Sequence, residues 1–289
     1  GPMPFRSILV PLEESDILES VLQTALVFAK RYDSYIEGLC IRPTLAGAVA
    51  VGFEGGAAAL SGTEEQFEQE QRLRAERLQT QFNAFKTANN IPDPEYGVPK
   101  LCAKWVEDEA SGIGIFGQRA RVFDLTVVGR PMPGSMTPAM NTLETVLFES
   151  GRPILIAPPS PPSYIGKNIV IGWNGGTETA RAIALGKFLL REAEHVTVLA
   201  VEGGMVPGPS AEDVITNLRR DAVNAELKVV PGRRSAADAG KIILEQAAEL
   251  GADLVIKGGY TQSRLKQMIF GGATAAILAN AEVPVLMAH

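Results

Sequence analysis

Short apolar runs alternate with longer amphipathic stretches along most of the chain. The apolar run from Ser7 to Leu12 is followed by turn residues and by an amphipathic stretch from about Asp16 to Arg31. A short apolar run is typical of a strand buried on both faces, and the next stretch has the 3.6-residue period of a helix. The same order recurs from Asn168 to Trp173 and from Thr177 to Arg191. The pattern therefore predicts alternating strands and helices that start again halfway along the chain.

Later landmarks repeat as well. The run that begins at Asp124 corresponds to the run that begins at Asp253, and each half ends on a proline followed by apolar residues. The offset between the copies falls from 161 positions, from Val10 to Ile171, to 129 positions, from Asp124 to Asp253. The first copy therefore carries 32 extra residues before its fourth strand.

The extra residues form a small-residue stretch and a long polar helix, predicted from about Glu64 to Asn89. A helix packed on the sheet explains its apolar stripe better than a partner-binding helix does. The Gly- and Ala-rich stretch from Ala46 to Ala59 could be a mobile lid, but such stretches are usually loops, and we favour a loop. The stripe consists of Phe67, Ala75, Leu78, Phe82 and Phe85.

Alternating strands and helices predict an α/β protein with parallel sheets covered on both faces. We predict two tandem domains, residues 3–158 and 164–289, each with a five-stranded parallel sheet. The proline-rich segment 158–162 separates them, since proline rings and missing N–H groups end a strand. The predicted strands begin near Ser7, Tyr35, Lys100, Asp124 and Pro153 and near Asn168, His195, Glu226, Asp253 and Pro284.

Composition and charge exclude several classes of function. The chain has 46% hydrophobic residues, 21% charged residues and a formal net charge of −6, with Lys and Arg scattered, so we expect no nucleic-acid partner. No apolar run reaches the roughly 18 residues of a membrane span, and no leader-like segment opens the chain, so we expect no membrane segment and a cytoplasmic location. Gly1 and Pro2 are typical of the remainder of a cleaved tag.

The sequence lacks the residue combinations that common catalytic and metal-binding sites require. Cys40 and Cys102 lie in apolar, strand-like runs, where a free cysteine behaves as a small buried hydrophobe. His195 and His289 are the two histidines of the chain, too few for a histidine-based metal site or a Ser-His-Asp triad. No Gly-x-Ser-x-Gly elbow occurs. We therefore expect no catalytic residue and no metal site of the protein's own.

The second copy carries a glycine-rich loop at the place where open α/β sheets bind ligands, beyond the carboxyl ends of the strands. Its fourth strand runs into Gly258 and Gly259, and Gly271 and Gly272 follow before the last helix. Glycines let a ligand approach backbone N–H groups, and a helix N-terminus favours an anion. Arg264 would add a positive charge.

This loop, from Gly258 to Thr274, resembles the nucleotide loop of the universal stress protein family. The family pattern is Gly, two residues, Gly, nine residues, Gly and then Ser or Thr. Gly258 and Gly271 stand at the first and third glycine positions, whereas Thr261 stands at the second and Gly272 replaces Ser or Thr. A β-branched residue is disfavoured where φ is positive. Both copies match the family layout, so the resemblance covers nearly the whole chain.

The resemblance implies Rossmann-like, adenine nucleotide α-hydrolase-like domains with strand order 3-2-1-4-5, which pair through their last strands. It also implies ATP or AMP binding in some members, with Mg²⁺ accompanying the nucleotide. Asn174 stands where ATP-binding members carry Asp, and Val201 stands where the backbone meets adenine. The implied nucleotide-binding residues are Asn174, Val201, Gly258, Thr261, Arg264, Gly271, Gly272 and Thr274.

The first copy has a shorter segment at the position of the loop. Arg130 and Met132 follow Gly129, and Met140 stands 11 positions after Gly129, against 13 positions between the matching glycines of the second copy. We expect the first domain to be structural or to contact proteins. The turn at 175–176 after Trp173 is interpreted as a plain strand-to-helix turn, and Trp173 as a packing residue.

Two functions remain open. The first is a non-catalytic stress-response protein, at most a weak ATPase, whose second domain binds ATP or AMP. The second is a nucleotide-independent module that contacts an unknown protein partner. Bare apolar edges pair in an uncontrolled way, so we predict that Pro153–Ala157 and Pro284–Ala288 lie close together. That pairing would make the chain an intramolecular pseudo-dimer that could also form a homodimer.

Overall fold

The fold was analysed in a computed structural model that describes residues 3–47, 62–110, 112, 114–132, 140–232, 236–259, 278 and 280–289. Contacts divide the chain into two units, Gly1–Arg152 and Pro153–His289. Most of the Ala46–Ala59 stretch, for which we favour a loop, lies outside the described residues. The two units are called unit 1 and unit 2.

Unit 1 has a parallel sheet with the strand order β3-β2-β1-β4. Each of these strands begins within two residues of the position expected from the apolar pattern. The described elements are β1 (Ser7–Pro11), α1 (Leu18–Tyr32), β2 (Tyr35–Pro43), α2 (Glu64–Ala88), β3 (Cys102–Ala110), α3 (Gly114–Ala120), β4 (Leu125–Gly129) and α4 (Met140–Glu149).

The long helix α2 packs on this sheet, which confirms the interpretation of its apolar stripe. Thr63 and Gln66 form a capping box at its N-terminus. All five stripe residues are buried. Gly38 of β2 makes room for Phe82, because a Cβ at Gly38 would lie 2.5 Å from the Phe82 ring.

Unit 2 has a sheet with the strand order β5-β10-β9-β6-β7-β8. The strands β6 to β10 run parallel, whereas β5 pairs with β10 in the antiparallel direction, with Leu155 opposite Leu286. The described elements are β5 (Ile154–Ala157), β6 (Asn168–Trp173), α5 (Thr177–Leu185), α6 (Lys187–Glu192), β7 (His195–Val201), α7 (Ala211–Arg220), β8 (Ala225–Val230), α8 (Ala236–Glu249), β9 (Leu254–Gly258) and β10 (Val285–Ala288).

The pairing of β5 with β10 confirms that the last strands of the two copies lie close together. It also explains why the contacts divide the chain at Arg152, ahead of the proline-rich segment 158–162. In the sequence β5 is the last strand of the first copy, but in the fold it lies in unit 2 together with its partner β10.

The helical stretch predicted from Thr177 to Arg191 is two helices, α5 and α6, with a break at Gly186. Glycine is a poor helix former, and here it allows close approach to the sheet. A Cβ at Gly186 would lie 3.0 Å from Leu286 of β10 and 3.2 Å from the carbonyl oxygen of Ala182. Close packing therefore decides where the helix is interrupted.

The repeated aspartates join neighbouring strands at their amino ends. The Asp253 carboxylate accepts hydrogen bonds from the N–H groups of Gly166 at 2.8 Å and Lys167 at 3.0 Å. The Asp124 carboxylate accepts one from the N–H of Ser7 at 3.2 Å. Both aspartates are structural, and each lies at the amino ends of the strands of its own unit.

Candidate functional site

The turn between β6 and α5 is held by the side chain of Asn174. Its Oδ1 accepts hydrogen bonds from the N–H of Gly176 at 2.9 Å and from the hydroxyl of Thr179 at 3.0 Å. The first of these bonds forms an Asx turn, and the second connects Asn174 to the side chain of Thr179 in the first turn of α5. The expected strand-to-helix turn is confirmed, and the amide oxygen of Asn174 is engaged within the protein.

Gly258, at the end of β9, lies directly against the first turn of α5. A Cβ at Gly258 would lie 2.6 Å from the backbone nitrogen of Thr179 and 2.8 Å from its hydroxyl oxygen. The absence of a side chain at Gly258 is therefore required by helix packing. The next N–H, that of Gly259, donates to the carbonyl oxygen of Ala288 at 2.7 Å and extends the pairing of β9 with β10.

Thr179 connects these two positions and was missed in the sequence analysis. It is 1% exposed, its hydroxyl donates to Asn174, and its backbone contacts Gly258. The available signal was its position in the first turn of α5, shortly after Asn-Gly-Gly, where a hydroxyl can bond back to a polar side chain in the preceding turn.

The segment 202–210 joins β7 to α7 and folds back over the β6–α5 turn. The N–H of Val206 donates to the carbonyl oxygen of Asn174 at 2.8 Å. The indole N–H of Trp173 donates to the carbonyl oxygen of Pro209 at 2.9 Å. Trp173 is buried, as expected for a packing residue, and its indole N–H also fixes this covering segment.

Gly175 allows the covering segment 202–210 to approach the turn. Its φ of +87° lies in the left-handed region, which disfavours residues with a side chain. A Cβ at Gly175 would also lie 2.8 Å from the carbonyl oxygen of Val206. Both conformation and space therefore require glycine at this position.

Val201 is the last residue of β7 and is buried. Its carbonyl oxygen accepts a hydrogen bond from the N–H of Gly204 at 3.1 Å. The adjacent N–H, that of Glu202, donates to the carbonyl oxygen of Val230 on β8 at 3.0 Å. The backbone that the resemblance assigns to adenine is thus hydrogen-bonded inside the protein.

Acidic residues lie at this edge of unit 2. Glu178 is in the first turn of α5, with Oε2 3.2 Å from the position that a Cβ on Gly176 would take, and Glu202 follows β7. A negative charge at a helix N-terminus stabilises the helix, but it repels a phosphate brought to the same terminus.

Three of the eight predicted site residues lie at carboxyl ends of strands in unit 2. Asn174 and Gly258 are brought together through Thr179. Val201 is connected to Asn174 through the covering segment 202–210. The remaining five predicted residues lie outside the described part of the chain: Thr261, Arg264, Gly271, Gly272 and Thr274.

In unit 1 the position that follows β4 holds Arg130. This arginine is buried, and its guanidinium donates to the sulfur of Met132 at 3.4 Å. The helix α4 begins at Met140, and residues 133–139 lie outside the described part. Side chains therefore occupy space where the second copy has glycine.

A second charged cluster lies in unit 1. The Glu37 carboxylate on β2 is buried and accepts two hydrogen bonds from Arg119, each at 2.9 Å, and one from the hydroxyl of Tyr35 at 2.9 Å. Burial, together with the nearby Glu37, raises the pKa of Tyr35 far above its usual range. These partners satisfy the buried carboxylate, so the cluster is structural.

Among the described residues, no helix combines the length and apolar character of a membrane span. The same part of the chain shows no group of three or more His, Cys, Asp or Glu side chains placed to hold a metal ion.

The model of the universal stress protein family matches residues 167–289, which include every strand end that forms the candidate site. The second half of this chain is thus similar to the universal stress protein family. The resemblance recognised in the glycine-rich loop is confirmed. The matched segment corresponds closely to the second of the two predicted copies.

A curated relative of this chain is "Stress response protein NhaX" of Bacillus subtilis (strain 168). The two are 31% identical over 103 residues, which cover 30% of this chain and 62% of the relative. The alignment thus spans less than two thirds of the relative's length.

Solved structures show the same fold. A universal stress protein from Archaeoglobus fulgidus DSM 4304 superposes with a TM-score of 0.72 at 14% identity, covering 99% of this chain and 96% of that chain. A putative universal stress protein from Pseudomonas aeruginosa UCBPP-PA14 gives a TM-score of 0.51 at 16% identity, covering 98% and 93%. The predicted α/β, Rossmann-like class is confirmed.

Proposed function

We propose that this chain is a non-catalytic stress-response protein that acts in the cytoplasm through contacts with other proteins, and that unit 2 does so without a bound nucleotide. The match of residues 167–289 to the universal stress protein family supports the stress-response role. The observation that carries the nucleotide-independent part is the closure of the β6–α5 turn by the covering segment 202–210.

Closure occupies the backbone groups that a base at the end of β7 would need. The carbonyl oxygen of Val201 already accepts from Gly204, and that of Asn174 accepts from Val206. A base that entered here would compete with these hydrogen bonds, each of which contributes about 1 kcal/mol to stability. It would also have to displace the Pro209 carbonyl from the Trp173 indole.

The phosphate side of the site is occupied in a similar way. Gly258 is in contact with Thr179, and the N–H of Gly259 is used by β10. Glu178 adds negative charge at the N-terminus of α5. The described glycines therefore make close contacts between protein elements, and this arrangement supports a module that functions without nucleotide.

A second candidate function is binding of ATP or AMP by unit 2, with Mg²⁺ accompanying the nucleotide. The spacing of Gly258 and Gly271, with Arg264 and Thr274 in the same loop, favours it. This function requires the covering segment 202–210 to move away from the β6–α5 turn.

Native mass spectrometry of freshly purified protein separates the two candidates. The proposal predicts protein free of nucleotide and no thermal shift with millimolar ATP, ADP or AMP, with or without Mg²⁺. A stoichiometric mass of AMP or ATP would contradict it. Phosphate release from ATP should equal that of a buffer control if the protein is non-catalytic.

Two variants identify the obstacle to binding. Trp173→Phe keeps the aromatic ring and removes the hydrogen bond to Pro209, so it should loosen the covering segment. Thr261→Gly restores the family's glycine. ATP affinity that appears only in Trp173→Phe would assign the obstacle to closure, whereas affinity that appears only in Thr261→Gly would assign it to backbone strain in the loop.

A further inference from the structure

The strand β8 ends the sheet of unit 2, and among the described strands it pairs with β7 alone. Two large apolar side chains are exposed on it, Leu227 at 37% and Val229 at 50%. An open strand edge with exposed apolar side chains is a ready template for a further strand. This edge lies apart from the candidate site and is independent of whether a nucleotide binds.

The backbone of β8 presents its hydrogen-bonding groups to the open side at alternate residues. The carbonyl oxygen of Val230 accepts from Glu202 at the end of β7, so the backbone groups of Val230 face β7. Because direction alternates along a strand, the N–H and C=O groups of Leu227 and Val229 face away from β7. The residues with exposed apolar side chains are thus also the residues with outward-facing backbone groups.

The two faces of β8 differ in character. Leu227 and Val229 lie on one face, and Glu226 and Lys228 lie on the other. The two charged residues have opposite signs and are separated by one position. A strand with this pattern can be complementary to a second copy of itself.

We propose that a second copy of this chain pairs with the open edge of β8, in the antiparallel direction and about a two-fold axis at Leu227. Leu227 then lies opposite Leu227 of the second copy, and the two exchange backbone hydrogen bonds. Glu226 lies opposite Lys228 of the second copy on the other face, and the symmetry repeats that ion pair. Cross-strand pairs of opposite charge are favourable. Glu226 and Lys228 would form a pair that exchanges no backbone hydrogen bonds, and in such pairs the two side chains lie closest together.

The charges select this register over its neighbours. An axis at Glu226 would place two glutamates opposite each other, and an axis at Lys228 would place two lysines opposite each other; both are unfavourable. An axis between two residues would place each residue whose backbone groups face outward opposite a residue whose backbone groups face β7, so the two could not exchange hydrogen bonds. The register at Leu227 satisfies both the backbone directions and the charges.

Groups at the start of β8 limit the strength of the pairing. The N–H of Ala225 donates to Val223 at 3.1 Å, and the carbonyl oxygen of Ala225 accepts from the Arg219 guanidinium at 3.3 Å. Pairing with Val229 of the second copy requires Arg219 to turn away from this oxygen. A short interface of this kind is expected to give a weak dimer, since it falls below the usual size of a stable one.

Sedimentation of the full chain across a concentration series tests the proposal. The wild type should show a reversible monomer–dimer equilibrium. Glu226→Lys and Lys228→Glu each place like charges opposite each other twice, and each should weaken dimerisation about tenfold. Glu245→Lys changes the same charge on the exposed side of α8 and should leave dimerisation unchanged.

Variants that restore the opposite charges test the register of the pairing specifically. The double variant Glu226→Lys with Lys228→Glu recovers opposite charges and should dimerise like the wild type. An equal mixture of the two single variants should form a mixed dimer, because their charges are complementary in this register. Arg219→Ala should strengthen the dimer, since it frees the carbonyl oxygen of Ala225.

Two results would overturn the proposal. A wild type that stays monomeric at millimolar concentration would show that this edge does not bind a second copy. A dimer of unchanged strength in both single charge variants would show that the copies meet elsewhere. Circular dichroism of each variant checks that the exposed substitutions leave the fold intact.

Discussion

Gly258→Ala tests whether this glycine serves packing or a ligand. The added Cβ would lie 2.6 Å from the Thr179 nitrogen, 2.8 Å from its hydroxyl oxygen and 2.9 Å from Cβ of Glu178. The Thr179 nitrogen belongs to the backbone of α5, and Cβ of Glu178 is bonded directly to it. The first turn of the helix therefore has to shift. Overpacking of this kind costs about 1–3 kcal/mol. At about 3 °C per kcal/mol for a unit of this size, unit 2 should lose roughly 3–9 °C in Tm.

The chain has two tryptophans, Trp105 in unit 1 and Trp173 in unit 2. In a Trp105→Phe background, fluorescence therefore follows the unfolding of unit 2 alone. Gly114→Ala is the control in unit 1 and is followed through Trp105 in a Trp173→Phe background. A Cβ at Gly114 would meet no atom of the described residues within 4 Å, so the Tm of unit 1 should stay within about 1 °C of its value without this substitution. An unchanged Tm for Gly258→Ala, together with a loss of ATP binding, would refute the packing argument and assign the glycine to a ligand.

Three further predictions concern the Asn174 turn, the pH dependence and the thiols. Asn174→Ala removes both hydrogen bonds accepted by Oδ1 and should cost about 1 kcal/mol in urea unfolding, whereas Asn174→Asp keeps both acceptor contacts and should cost less. The hydrogen bond from Lys187 lowers the pKa of Asp221 in the folded state, so its stabilising effect is present above the carboxyl's unfolded pKa and is lost as the pH falls through the lowered value. The stability difference between wild type and Asp221→Asn should therefore shrink in acid; a constant difference from pH 7 to pH 2 would contradict this. Cys40 and Cys102 are buried, and burial raises the pKa of Cys102, so a thiol reagent at pH 7 should label both only after urea is added.

A glycine near the candidate site can allow close approach either of a ligand or of another part of the protein. In the sequence, Gly258 fits a loop that lets phosphate approach the backbone. In the fold, the space beside Gly258 is filled by α5, and the space beside Gly175 is filled by the covering segment 202–210. A glycine indicates close approach, but what approaches is decided by the surrounding elements.

Most of the secondary structure could be predicted from the sequence because it depends on local patterns. The buried runs at Ser7 and Asn168 begin strands as expected, and the stripe of α2 packs as its period indicates. The break at Gly186 could not be predicted from the sequence, since one glycine is tolerated inside many helices. Its reason is the contact with Leu286, about a hundred positions away.

The candidate site was predictable only in its location. The topology rule placed Asn174 and Gly258 at carboxyl ends of strands, the family resemblance added Val201, and all three lie there. The role of Thr179 and the closure by segment 202–210 depend on hydrogen bonds between parts of the chain that are far apart in sequence, such as Trp173 to Pro209.

The sequence by itself determined the two-copy α/β plan, because apolar periodicity and turn residues act over a few positions and repeat in both halves. Only the tertiary structure decided that the acceptor groups at the ends of β6 and β7 are bonded to the protein's own backbone, and that β8 is left with an open edge. Both outcomes depend on contacts between groups that are far apart along the chain, and local patterns in the sequence do not specify those contacts.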